Sequence, residues 1–202
     1  LAALNLSHRA GDAALYSRSA GLLALVLMVG ELPTLSRYYL ARARRTIPDE
    51  TSPHDRLMTS EYIAMFLLAA GLLREAETEL RWMLDLASRH NNRRRHLDAT
   101  SLLILTLLEL GDTDACASLI HHFESAAERS GDVQLRCWSH LEAADLAFRL
   151  GNVETSRRRL TDVTDLLATQ GSNERIWTLG LLAAVELRQS RIDSAMAHAR
   201  EV

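Results

Sequence analysis

A glycine recurs in this chain where helix-favouring sequence surrounds it on both sides. The stretch "LLELGDTDACASLI" (107–120) carries Gly111-Asp112 between two apolar, Ala- and Leu-rich runs. Gly71 in "LLAAGLLREAETEL", Gly151 in "AFRLGNVETSRRRL" and Gly30 in "LVLMVGELPTLSRY" stand in the same setting, at spacings of 41, 40 and 40 residues, and Ser190 continues the series at 39. A glycine inside a helix costs about 1 kcal/mol relative to alanine, so a regular series of them predicts helix ends. Glycine ends a helix because it enters the left-handed conformation without a Cβ clash. The Asp or Asn that follows at 112 and 152 suits a tight turn or the next N-cap.

The flanks repeat with the turns. Apolar or small residues lie eight before each turn (Leu22, Ile63, Leu103, Ala143, Leu182) and four before it, Glu186 excepted (Val26, Leu67, Leu107, Ala147). Five after come Leu35, Ala76, Cys116, Ser156 and Ala195, small in all but the first, and nine after come Tyr39, Leu80, Ile120, Leu160 and Ala199. Offsets of four place side chains on one helix face. Each unit therefore reads as helix A, a tight turn, helix B and a longer loop, the loops being "IPDETSPHD", "RHNNRRRH", "RSGDV" and "TQGSN". One hairpin cannot cover its own apolar face, so neighbours must stack. The expectation is an all-α fold: an α-solenoid of antiparallel helix hairpins with a period of about 40 residues, spanning 1–202 as one array. Its hairpins fall at 12–48, 55–91, 95–130 and 133–170, with an incomplete one at 174–202. Because "SHRAGD" mirrors "AERSGD", residues 1–10 read as the end of a preceding helix B, and the chain reads as a piece of something longer.

Composition narrows the function classes. Of 202 residues 48% are hydrophobic and only 5% aromatic, so Leu and Ala must build the core; three prolines and nine glycines are too few for an all-β fold. A net charge of −3 offers no bulk attraction to nucleic acid or an anionic membrane. All 23 basic residues are arginine, which excludes Schiff-base and P-loop chemistry. Cys116 and Cys137 lack disulfide-framework or metal-ligand spacing and read as reduced, packed thiols of a cytoplasmic protein. The longest apolar run, "AGLLALVLMVG", has 11 residues against the roughly 20 a membrane span requires, so it reads as a core helix.

An apolar residue eight before the turn, a small one five after and a bulky one nine after resemble tetratricopeptide repeats, over nearly the whole chain. The chain departs from that pattern in a longer period, attributed to longer inter-repeat loops. Leu23 and Ile104 stand where a small residue is usual seven before the turn, and only Pro48 falls near the closing proline. Degenerate, Arg- and Leu-rich repeats with Gly-Asp between units also look like the C-terminal helical region of large bacterial regulators that join an ATPase module to a nucleotide cyclase or helix-turn-helix output domain. No motif of those output domains lies in these residues. The resemblance implies a protein-interaction or regulatory scaffold, not an enzyme, whose concave groove holds a peptide, a helix or a neighbouring domain in cis.

If helix A lines that groove, the resemblance assigns it Met58, Glu61 and Met65, then Asp98 and Glu109, then Trp138, Asp145, Phe148 and Arg149, then Trp177 and Arg188. Met58, Met65 and Trp138 would anchor the partner; Glu61, Asp145, Arg149 and Arg188 would orient it. Trp and Arg are enriched at binding hot spots, although a recurring Trp serves equally to pack one repeat on the next. The Lys- and Asn-based carboxylate clamp of some relatives is unsupported in a chain without lysine. Two other classes stand beside this reading: a small-molecule effector sensor and a structural self-association spacer.

Other constellations carry less. The clusters Arg42/Arg44/Arg45, Arg93–Arg95 and Arg157–Arg159 fall late in a helix B, in a loop, and early in another helix B, without interleaved aromatics, so no nucleic-acid partner is expected. Adjacent His121 and His122 point apart on a helix, and His140 with Asp145 lacks a third ligand, so no metal or other cofactor is expected. No Gly-x-Ser-x-Gly, His-Glu-x-x-His or phosphate loop occurs, and no carboxylate is expected in an apolar setting that would tune it for acid–base work.

Overall fold

The computed structural model describes residues 2–46, 51–167 and 174–201. Among them the chain forms α1 (Ala2–Ala10), α2 (Ala13–Val29), α3 (Pro33–Arg45), α4 (Pro53–Ala69), α5 (Leu73–Arg89), α6 (Arg93–Leu110), α7 (Thr113–Ser130), α8 (Val133–Arg149), α9 (Val153–Leu167), α10 (Glu174–Arg188) and α11 (Ile192–Arg200), and no strand. None of these helices is long and apolar enough to cross a membrane. Residues 47–50 of the expected loop "IPDETSPHD" and all of "TQGSN" lie outside the described residues.

The helix ends explain why the chain turns where it does. Gly71, Gly111 and Gly151 have φ of +70°, +76° and +81°. At two of them the next residue's N–H reaches back five positions, Leu72 to the Leu67 carbonyl (2.8 Å) and Asn152 to Ala147 (2.8 Å), which closes the helix with otherwise orphaned carbonyls. Asp112 then caps α7 by accepting the Ala115 N–H, and Asp132 caps α8 by accepting those of Gln134 and Leu135.

The first turn corrects the register. The left-handed residue there is Glu31 (φ +58°), while Gly30 keeps φ of −80° and its N–H still reaches Val26. At the turns that close the expected hairpins, left-handed residues thus fall at 31, 71, 111, 151 and 190. Counting from Glu31 removes the two irregularities that Gly30 produced. Five residues on is Ser36 rather than Leu35, and it is fully buried like Ala76, Cys116 and Ser156. Seven residues back is fully buried Ala24 rather than Leu23.

A second correction concerns the connections between hairpins. "RHNNRRRH" and "RSGDV" are tight turns around Asn91 (φ +50°) and Gly131 (φ +69°). The chain between turns is taken up by helices of 17 or 18 residues, as in α4 to α8, and not by longer loops. The Arg93–Arg95 cluster accordingly opens α6 instead of lying in a loop.

The helices divide into two compact units, Leu1–Leu110 and Gly111–Val202, the boundary falling inside the hairpin expected at 95–130. In the first, α2 packs on α1, α3 and α4, α4 on α5, and α6 on α5 and α4. Ala24, Leu40, Ile63, Phe66, Leu67 and Ala76 form one core there. Ser36 donates to the Ala24 carbonyl at 2.5 Å, so the small residue after the turn also bonds the facing helix. In the second unit α8 packs on α7, α9 and α10, and α10 on α9 and α11, around Cys137, Leu141, Ala144, Leu160, Val163, Leu182 and Val185. Both cysteines are buried and unpaired with one another; burial pushes the Cys116 thiol up to about 11, which makes it unreactive packing.

Candidate functional site

In the first unit, Met58, Glu61 and Met65 lie along one face of α4 and are each half-buried. Glu61 is not directed at solvent: its carboxylate forms a close ion pair with Arg95 of α6. Arg95 also reaches Asp98 at 3.0 Å, and Arg94 holds the other Asp98 oxygen at 2.9 Å. Asp98 is buried, so this chain of charges sits in the seam between α4 and α6. Burial pushes the Glu61 carboxyl above its ordinary value, against the opposing pull of the Arg95 guanidinium. Glu61 is thus half-buried and Asp98 buried against arginines, and Glu142, Glu174 and Glu186 are buried as well, none of which the sequence marked in advance. Glu109, late in α6, is exposed.

In the second unit the two tryptophans differ. Trp138 is half-buried, and its indole N–H donates to Glu174 Oε1 at 3.0 Å. Gln134, one turn earlier on α8, donates to the same oxygen at 3.0 Å. Glu174, the first residue of α10 and 9% exposed, is thereby fastened to α8. Trp177, one turn further along α10, is 59% exposed.

Asp145 and Arg149, four apart on α8, pair at 2.9 Å. Arg188 lies 4.9 Å from the Phe148 ring centroid and donates to the Phe148 carbonyl at 3.0 Å, capping the end of α8. Of the residues expected to bind a partner, Glu61, Trp138, Asp145, Arg149 and Arg188 thus make contacts inside their own unit. Met58, Met65 and Asp145 are half-buried, Arg149 and Arg188 are exposed, and so is Trp177.

Sequence reasoning missed Arg95, Gln134 and Glu174. The spacing of Gln134 and Trp138 put both on one face of α8, but Glu174 meets them only through the packing of α10. It also missed two clefts. In the first unit a cavity of about 250 Å³ is lined by His8, Asp12, Tyr16, Arg42 and Thr46. Arg42 lies 5.6 Å from the centroid of Tyr16 and 5.5 Å from that of Tyr38, and no carboxylate among the described residues pairs with it. In the second, a cavity of about 220 Å³ is lined by Ile120, His121, Glu124, Leu146, Leu150 and Arg159. Here the guanidinium does meet an acid, Arg159 on Glu124 at 2.8 Å, and Arg159 also donates to His140 Nδ1 at 3.2 Å.

No protein-family model matches the chain, and no curated protein matches it. Among solved structures the chain is similar to the apo form of RapI, with a TM-score of 0.51 and 11% identity, over 93% of this chain and 63% of that one. The chain thus spans less than two thirds of the RapI chain, and at this identity the likeness is one of fold alone. The all-helical architecture and this likeness fit a tetratricopeptide-like helical repeat.

Proposed function

We propose that the chain is a protein-binding scaffold module, built as stacked hairpins repeating about every 40 residues in the manner of an α-solenoid, and serving a larger bacterial signalling protein. The observation that carries the binding reading is the set of large apolar side chains held out on helix faces. Trp177, Leu187, Ile192 and Met196 in the second unit, and Leu22, Val26, Val29 and Leu32 in the first, are all more than 40% exposed. Clustered apolar exposure of this kind marks interaction surface, and Trp177 is the residue type that dominates binding energy when covered. The left-handed residues at 31, 71, 111, 151 and 190 support the repeat reading. Affinity capture with the parent chain and with a Trp177→Ala/Leu187→Ala variant tests it, a melting curve showing that the variant folds. Proteins retained by the parent and lost by the folded variant support the reading; identical sets, or none, sink it.

The Arg42 cleft favours a second reading, an effector-sensing site for a small carboxylate, because a guanidinium among phenol rings offers fork donors to a ligand acid. A rise in melting temperature with a panel of aromatic carboxylates, lost in Arg42→Gln, would support it.

A further inference from the structure

The helices that open each hairpin carry two residues one turn apart, eight and four before the left-handed residue. They are Leu23 and Leu27 in α2, Ile63 and Leu67 in α4, Leu103 and Leu107 in α6, and Leu182 and Glu186 in α10. In α8 alone both are small, Ala143 and Ala147. The first unit shows what the large pair does: Ile63 and Leu67 are buried and share one core with Leu40 of α3 and Ala76 of α5. In the second unit Ala143 and Ala147 instead line the cavity of about 220 Å³, together with Ile120, the counterpart of Leu40. This cleft between α7, α8 and α9 thus occupies space that two aliphatic side chains fill elsewhere in the chain. An aliphatic group placed there regains the contacts that the alanines forgo.

The same cleft holds an ion pair that is poorly satisfied. Glu124 of α7 and Arg159 of α9 both line it, and both are half-buried. Arg159 Nη1 comes within 2.8 Å of Glu124 Oε1, yet this oxygen is buried and accepts no hydrogen bond. Nη1 donates instead to His140 Nδ1 at 3.2 Å. The Nε and Nη2 donors of Arg159 meet no acceptor among the described residues. An apolar wall with a few convergent polar groups is how small-molecule sites are built, and here the polar groups carry both signs of charge.

We propose that this cleft binds a free α-amino acid with an aliphatic side chain, of the size of leucine. The side chain lies over Ala143 and Ala147, the α-carboxylate accepts from the Arg159 fork, and the α-ammonium donates to Glu124. Charge decides the class. A monocarboxylate would draw Arg159 away and leave Glu124 half-buried without its partner, and an amine would do the converse to Arg159. A ligand that carries both charges on one carbon answers both residues and strands neither. The site uses none of the exposed apolar residues of the binding reading, so either can fail without the other.

Isothermal titration of the 202-residue chain with L-leucine tests this, beside leucinamide, which lacks the carboxylate, and isocaproate, which lacks the amine. Leucine should bind at millimolar concentration and raise the melting temperature. Each analogue should bind roughly tenfold or more weakly, since each leaves one charge of the pair unanswered. Glycine, without a side chain to fill the cleft, should also bind more weakly than leucine. Ala143→Ile/Ala147→Leu gives α8 the residues of α4 and should abolish binding. Glu124→Gln keeps the shape of the cleft and should bring leucine down to the level of isocaproate. Circular dichroism equal to the parent's shows that a variant folds, and Glu124→Gln decides the matter if the filled variant does not. Neither heat nor a rise in melting temperature with leucine, analogues that bind as well as leucine, or folded variants that bind as the parent does would each overturn the proposal.

Discussion

The hairpins α2–α3 and α8–α9 occupy the same place in their units, yet they are joined to the next hairpin by different chemistry. Helix α2 meets α4 by close approach of backbone, with Gly21 against Tyr62, and a looser Arg18–Asp55 ion pair of 3.7 Å at the edge. Helix α8 meets α10 through a half-buried polar latch, Trp138 and Gln134 both donating to Glu174. One hairpin turns on Glu31 and the other on Gly151. What the two share is a left-handed turn and a fully buried serine five residues after it, Ser36 and Ser156. The backbone plan recurs while the contacts that seal it are interchangeable, which explains how a repeat can persist with little sequence likeness between its copies.

The largest test of that contrast removes the latch. Trp138→Ala should cost about 3 kcal/mol, from lost aromatic packing and a lost donor to nearly buried Glu174, read as a lower urea midpoint. Next come the paired glycines. Gly21→Leu must push Tyr62 aside and should cost about 2 kcal/mol, whereas Gly180→Leu, in open space and ten residues before left-handed Ser190 as Gly21 is before Glu31, should gain roughly 0.5 kcal/mol from helix propensity. Equal signs for the two would break the correspondence between α2 and α10. The turns should then separate. Gly151→Ala should destabilise by about 1 kcal/mol, the strain of a Cβ at positive φ, while Glu31→Gly should gain about 0.5 kcal/mol, since relief of that strain exceeds the added chain entropy.

The last test is a slope and not a step. Burial, helped by the Arg159 charge, holds His140 below its ordinary pKa of 6.5. The unfolded chain then takes up that proton at a higher pH than the folded one. Stability contributed by neutral His140 is present above pH 6.5 and declines as pH falls below it. His140→Gln should flatten this decline in denaturation curves taken between pH 7.5 and 5.5. His96, lowered by burial in α6, leaves a remainder of the same sign.

The turns at 71, 111 and 151 were legible because glycine is the residue that the left-handed backbone favours. The first was read one residue early. Gly30 and Glu31 are adjacent, and nothing in local sequence reports that α2 runs on until its last N–H bonds are made before Glu31 accepts the strained conformation. The turns at Asn91 and Gly131 were read as longer loops because polar runs surround them, although those runs are the ends of helices. For the candidate site, helix spacing placed Met58, Glu61 and Met65 on one face, and Trp138 and Trp177 at equivalent positions. Whether such a residue meets solvent depends on what the next hairpin brings to it. Arg95 arrives at Glu61 and Glu174 at Trp138 from 34 and 36 residues away, and no window of local sequence holds both partners.

Within each unit, the described helices make their main packing contacts with those adjacent or next but one in the chain. Contacts of such short sequence separation close small loops, so each hairpin loses little entropy in joining its neighbour and folding should be rapid. The same locality limits how far a fault can spread. Loosening of α10 and α11 would admit deuterium to their amides while those of α4 and α5 stayed protected, so the chain can open in parts without coming apart.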